Sequence, residues 1–192
     1  MASRRIFGRL AIAAGALALA SFATGMAPSA AWAAPHCADL ATDPANGLAG
    51  NPVIKSVSST VIAASGANVA YCKVSLLYGT NPNQNINIVV GLPLSAADGG
   101  SGGVQGDWNG RTQGLGGGGC SGNLNVTSAV NAGYVGSGDD LGHSGGDCEP
   151  GVNADGTYNL QFINDFIRNG IEQQVLFSKS IAKNLLRYGT CL

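Results

Sequence analysis

The stretch Trp108-Asn109-Gly110-Arg111-Thr112-Gln113-Gly114-Leu115-Gly116-Gly117-Gly118-Gly119-Cys120-Ser121-Gly122-Asn123 has seven glycines in sixteen residues, and 18 of the 30 glycines of this 192-residue chain lie between Gly99 and Gly146. Such a region cannot build a core from its own side chains. Four consecutive residues without a Cβ, Gly116 to Gly119, let backbone N–H groups point into a cleft and approach a ligand closely. Aimed at the negative oxygen of an acyl-transfer intermediate, one such donor contributes about 3 kcal/mol to the transition state. A surface linker and a phosphate cradle are the other uses of such a run. The phosphate use is disfavoured because no Lys followed by Ser or Thr stands at P-loop spacing.

Outward from this stretch the pattern becomes regular. Residues 53 to 64 and 68 to 78 are rich in β-branched and aromatic residues and predict two strands, the Asn-rich residues 79 to 85 a turn, and Ile86 to Leu92 a third strand stopped by Pro93. Ala129 to Val135 reads as a helix end leading into a buried strand at Gly133-Tyr134-Val135-Gly136. Phe162, Ile163, Phe166 and Ile167 recur at helical spacing. After Gly170 so do Ile171, Val175, Ser178, Ala182, Leu185 and Leu186, with Gly189 as a C-terminal stop. This is one helix interrupted near Gly170, or two. Strands followed by a helix with one apolar face predict the opening half of an α/β domain. The strand into which the last helix should lead is not found.

Residues 1 to 33 have the form of an export signal: Arg4, Arg5 and Arg9, an apolar run from Leu10 to Ala23, and Ala31-Trp32-Ala33 before the expected cut. The paired arginines fit a twin-arginine signal, and a general secretory signal is the alternative. The run is shorter than the ~20 residues that span a bilayer. A mature chain of residues 34 to 192, secreted or periplasmic, is the expectation, and its 159 residues suit one domain. Removing three arginines from the 10 basic residues leaves 7 against 11 acidic ones, net −4. That balance offers no footprint for nucleic acid or an anionic membrane.

Five cysteines leave at least one without a partner in the chain. In an oxidising compartment the expected pairs are Cys37 with Cys72 and Cys120 with Cys148, with Cys191 left over. The second pair would restrain a loop whose composition cannot stiffen it. No two Cys or His stand at metal-binding spacing, and no cofactor is expected of this chain.

Gly119-Cys120-Ser121-Gly122-Asn123 imitates a nucleophile elbow, but the last Gly and the preceding apolar strand are missing. Ser121 therefore reads as a polar loop serine. His143 follows about 22 residues later, with Asp139 and Asp140 just ahead of it.

Taken together, Tyr71-Cys72-Lys73-Val74, Ile86-Asn87-Ile88 to Leu92-Pro93, Trp108-Asn109-Gly110-Arg111 with Gln113, Gly116 to Gly119, Gly133-Tyr134-Val135, Asp139-Asp140-Leu141-Gly142-His143 and Ala182-Lys183 to Tyr188-Gly189 resemble the tannase and feruloyl esterase family of α/β-hydrolases. The resemblance runs from about residue 37 to 189. It implies an α/β fold, here an incomplete α/β-hydrolase-like sheet with Gly-rich loops and a C-terminal helix, and a secreted carboxylic ester hydrolase acting on small aromatic acid esters. It further implies that the backbone of Gly117, Gly118 and Gly119 supplies an oxyanion-hole amide and that Cys37 and Cys72 form a structural disulfide. In the family the nucleophile elbow, the acid, the general-base His and a calcium-binding lid all follow the segment resembling Tyr188-Gly189. No triad position is therefore matched in this chain, which is expected to be truncated and inactive alone.

His143 is expected to order its loop, with substrate contact as the alternative. Arg111 could steady a substrate carboxylate or pair with Asp107 or Asp140, and Trp108 and Tyr134 are expected in the core or the cleft wall. Two rival functions remain: a noncatalytic secreted module binding a small aromatic or a glycan, and a gene remnant that folds poorly because a sheet without its later strands exposes an edge.

Overall fold

The computed structural model describes residues 35–44, 47–100 and 108–186. The expected export signal, Asp107, Gly189 and Cys191 lie outside them. Three long strands, β1 (Ile54–Ile62), β2 (Tyr71–Tyr78) and β3 (Ile86–Pro93), run antiparallel in sequence order. Two short strands, β4 (Thr112–Leu115) and β5 (Val135–Asp139), complete a mixed sheet of order β1-β2-β3-β5-β4, in which β5 is antiparallel to β3 and parallel to β4. The crossover that parallel neighbours require passes through the short helix α1 (Thr127–Asn131).

The period-two pattern of the strands sorts side chains onto two faces. Cys72, Val74, Leu76 and Tyr78 of β2, with Ile86, Ile88, Val90 and Leu92 of β3, join a large core together with Leu40, Leu48, Trp108 and Val135. Tyr71 and Val89 point the other way and meet Val126 and Val130 beside α1. Two glycines seat α1 on the sheet: a Cβ at Gly91 would come within 2.6 Å of Val126 Cγ2 and one at Gly136 within 2.7 Å of Ala129 Cβ.

The opposite face is covered by the C-terminal helical segment. It consists of α2 (Leu160–Asn164), capped by the Asn159 side chain, a wide π turn over Asp165–Asn169, and α3 (Gly170–Leu186). The interruption predicted near Gly170 is this π turn, which adds one residue to the helical repeat. The buried side of α3 carries Phe177, Ile181, Ala182, Leu185 and Leu186, but Ile171 and Val175 do not belong to it; they are 55% and 37% exposed. The first turns of α3 lie over the small residues of β4 and β5 and meet them through Gly170 and Gln174 instead. β4 is the strand that composition hid, because it contains Gly114, is followed directly by Gly116 to Gly119, and pairs with β5, which holds Gly136 and Gly138.

Both expected disulfides are present, with Cα–Cα separations of 5.6 Å for Cys37–Cys72 and 5.5 Å for Cys120–Cys148. The first fastens the 3-10 turn Cys37–Ala41 to the middle of the sheet with both cysteines fully buried. The second ties two surface loops. Among the described residues no helix is long and apolar enough to cross a membrane.

Cys37 and Cys72 are 35 residues apart, and closing a loop of that length restricts the unfolded chain by roughly 4 kcal/mol on the chain-entropy model. Replacing both cysteines by Ala should therefore lower the free energy of urea unfolding by about 2–4 kcal/mol, since the pair also fills core volume.

Candidate functional site

Because β4 and β5 are parallel, their carboxyl ends open at the same end of the sheet, where ligand crevices form in open α/β sheets. Leu115 leads there into Gly116 to Gly119, and Asp139 into the loop Asp140 to Gly145. The two loops are packed backbone to backbone. A Cβ on Gly122 would collide with the Asp139 carbonyl oxygen, one on Gly138 with that of Asn123, and one on Gly117 with that of Ser121. The Asn123 N–H donates to the Asp139 carbonyl at 2.8 Å, and the Ser121 N–H to that of Gly118 at 3.1 Å. Gly119 adopts a left-handed conformation with φ of 62°, and the adjacent Cys120 is held by its disulfide. The glycine run is therefore a fitted part of the sheet end, not a linker.

Between this loop and the helical segment lies a cavity of about 570 Å³. Gly116, Gly117, Gly119 and Ser121 form one wall; Phe166, Ile167, Ile171 and Val175 form the other; Asp139 and Gln174 lie between them. Ile171 and Val175, which stand outside the buried stripe of α3, thus line this cavity. The N–H groups of Gly117, Gly118 and Gly119 donate to no acceptor among the described residues, and two of these three glycines line the cavity.

Asp139 is 3% exposed. One carboxyl oxygen accepts the Leu141 N–H at 2.7 Å, and a Cβ on Gly170 would come within 2.6 Å of that oxygen. Burial, aided by the neighbouring Asp140 charge and opposed by the Leu141 N–H, pushes its pKa up to about 6. Asp140 serves the loop: its carboxylate accepts from the Asn87 N–H at 2.9 Å, the Asn87 amide at 2.6 Å and the Gly142 N–H at 3.0 Å.

The helical wall is anchored separately. Asp165 in the π turn is buried and accepts from the amides of Gln84 at 2.6 Å, Gln161 at 2.8 Å and Asn169 at 2.8 Å. The turn between β2 and β3 thereby holds the π turn against the cavity.

The residues singled out from the sequence fall in different places. Ser121 borders both this cavity and a neighbouring one of about 460 Å³ that holds His143 and Asp140. His143 packs against Phe162, with Phe166 beside it, ring centroids 4.6 and 6.4 Å away, with Nδ1 3.4 Å from the Leu141 carbonyl oxygen and Nε2 buried without a hydrogen-bond partner. No hydrogen bond joins it to Ser121, so these residues form no Ser-His-acid relay. Arg111 is exposed, and its carbonyl oxygen accepts from Val135 N–H at the start of β5 and from the Trp108 indole. Asp140 follows the other end of β5, about 16 Å away at strand rise; Arg111 neither pairs with it nor lines the cavity. Trp108 is in the core. Gln174 was not foreseen, and Asp139 was singled out only as one of the two aspartates ahead of His143, because a charged residue after Gly-Ser-Gly and a glutamine amid a helix give no burial signal. Their only trace is position, at the carboxyl end of a strand and one helical turn beyond Gly170. Among the described residues no group of three His, Cys, Asp or Glu is placed to hold a metal ion.

No family model and no curated protein matches the sequence. Solved structures do. Tannin acyl hydrolase from Aspergillus niger superposes with a TM-score of 0.57 at 19% identity, over 80% of this chain and 31% of that one. An esterase from Aspergillus oryzae gives 0.55 at 17% identity, over 78% and 30%. Feruloyl esterase B from Aspergillus oryzae gives 0.53 at 20%, over 78% and 29%. The chain therefore spans about a third of the length of these esterase structures and shares their α/β fold over that part.

Two measurements test the site. Gly117→Ala should lower stability by about 1–3 kcal/mol through its collision with Ser121, whereas Gly118→Ala, with open space around its Cβ position, should leave the melting temperature unchanged or slightly raised. For Asp139 the folded pKa exceeds the ordinary carboxylate value, so the ionised form opposes folding. The penalty is absent below about pH 4 and fully present above the folded value of about 6. Asp139→Asn should accordingly be more stable than the parent at pH 8, by on the order of 1–3 kcal/mol, and should lose that advantage at pH 3.5 in urea titrations.

Proposed function

We propose that this chain forms the oxyanion and acyl-binding side of a carboxylic ester hydrolase of the tannase and feruloyl esterase type, exported and acting on aromatic acid esters. One observation carries the proposal: the undonated N–H groups of Gly117 to Gly119, held by backbone contacts at the carboxyl end of a parallel strand pair beside an apolar wall. The shared fold with esterase structures supports it. Two disulfides fit an oxidising compartment.

In this chemistry a serine oxygen attacks the ester carbonyl, and the charge that builds on the carbonyl oxygen is met by amides already in position. Gly117 and Gly119 are suited to this because their backbone is fixed before substrate arrives, so little reorganisation accompanies the reaction. Phe166, Ile167, Ile171 and Val175 would cover the aromatic ring and exclude water from the carbonyl. The serine and its base are proposed to lie outside the described residues, since Ser121 and His143 share no hydrogen bond. The 192-residue chain is thus proposed to bind such esters without turning them over.

Methyl gallate and methyl ferulate offered to the purified chain should shift backbone amide resonances of the Gly116–Gly119 loop at millimolar concentration, with no acid released. Hydrolysis abolished by Ser121→Ala would overturn the assignment of the nucleophile, and absence of any shift would overturn the assignment of the cavity.

A further inference from the structure

The polar groups between the cavity walls do not balance. Asp139 Oδ1 accepts the Leu141 N–H, while Oδ2 accepts from no described residue. Gln174, 4% exposed, donates through its amide nitrogen to the Ser137 carbonyl at 2.8 Å and hydroxyl at 3.2 Å, and its amide oxygen accepts from no described donor. Gly170 lies against Asp139, and Gln174 is one helical turn further along α3. Two acceptors on residues that line the cavity thus lack a protein donor, and neither is sealed off as His143 Nε2 is, so both are open to a donor that enters the cavity. Among the described residues that line this cavity Asp139 is the only ionisable one, so no cation is present to neutralise it or to attract an anion.

From this imbalance, and resting on the ester-binding role proposed above, we infer that Asp139 is a specificity-determining residue that accepts a hydrogen bond from a phenolic hydroxyl on the ring of a neutral ester. The apolar wall takes the ring, the Gly117–Gly119 amides take the carbonyl oxygen, and Asp139, with Gln174 beside it, takes the ring hydroxyls. A hydrogen bond to a carboxylate is roughly twice as strong as one between neutral groups. A ring whose hydroxyls are methylated cannot donate and leaves the carboxylate desolvated. A free aromatic carboxylate would meet the Asp139 charge in a site lacking any counterion, so the same residue favours the ester over its acid product.

The test uses the full chain, with methyl gallate, its tri-O-methyl ether and free gallate as probes and dissociation constants measured by amide chemical-shift titration. Methyl gallate should bind at least tenfold tighter than the ether and than gallate. In Asp139→Asn, with the side-chain oxygen still accepting from Leu141, an amide N–H₂ would face the ring hydroxyl, and the preference for methyl gallate over the ether should fall below threefold. Equal affinity of the parent chain for methyl gallate and the ether, or an unchanged preference in Asp139→Asn, overturns the inference while leaving the ester-binding role intact. Failure of both esters to bind the parent chain overturns that role, and the inference with it. The comparison between the two esters on the parent chain needs no variant to fold.

Discussion

The closeness of two backbones at the carboxyl end of β5 is the constraint on which the site rests. Gly122 sits against the Asp139 carbonyl, Gly138 against that of Asn123, and a 2.8 Å hydrogen bond from Asn123 to Asp139 closes the contact. No residue with a Cβ fits either position. Because the glycine run is threaded here, its amides are carried to a defined place, and the conformational freedom glycine brings to an unfolded chain is spent in the folded one. The Cys120–Cys148 disulfide restrains the same contact from the solvent side.

A second set of small residues brings the helices to the sheet. Gly91 and Gly136 receive α1, and Gly170 lets α3 start directly over Asp139. The last contact explains the π turn: α2 is tethered through Asp165 to Gln84 of the β2–β3 turn, α3 is tethered through Gln174 to Ser137, and one extra residue in the turn reconciles the two attachments. The helical segment is thereby placed with Phe166, Ile167, Ile171 and Val175 toward the cavity. Apolar residues that would be a liability on a free surface line the cavity instead.

Charge has little part in the fold and a large part in the site. The described residues show two ion pairs, His36–Asp98 and Arg168–Glu172, both with an exposed partner, where such contacts contribute little. Asp165 is buried with three amide donors around it. Asp139 is buried with only one, and burial raises its pKa.

The β-branched and aromatic residues between Val53 and Leu92 by themselves announced three strands, while their antiparallel pairing came from the tertiary structure. The helical spacing after Leu160, the interruption near Gly170 and both disulfides were equally legible, and so was the suitability of Gly116 to Gly119 for presenting bare amides. Tertiary structure alone decided that Thr112–Leu115 is a strand, because its pairing with β5 depends on backbone hydrogen bonds that small residues permit but do not announce. It also decided that Ile171 and Val175 face a cavity, that Arg111 and Asp140 stand at opposite ends of a strand, and that Asp139 is buried while Asp140 is spent on Asn87. Adjacent aspartates are indistinguishable in a sequence. Only the packing of a helix over one of them separates a loop fastener from a carboxylate with an oxygen to offer.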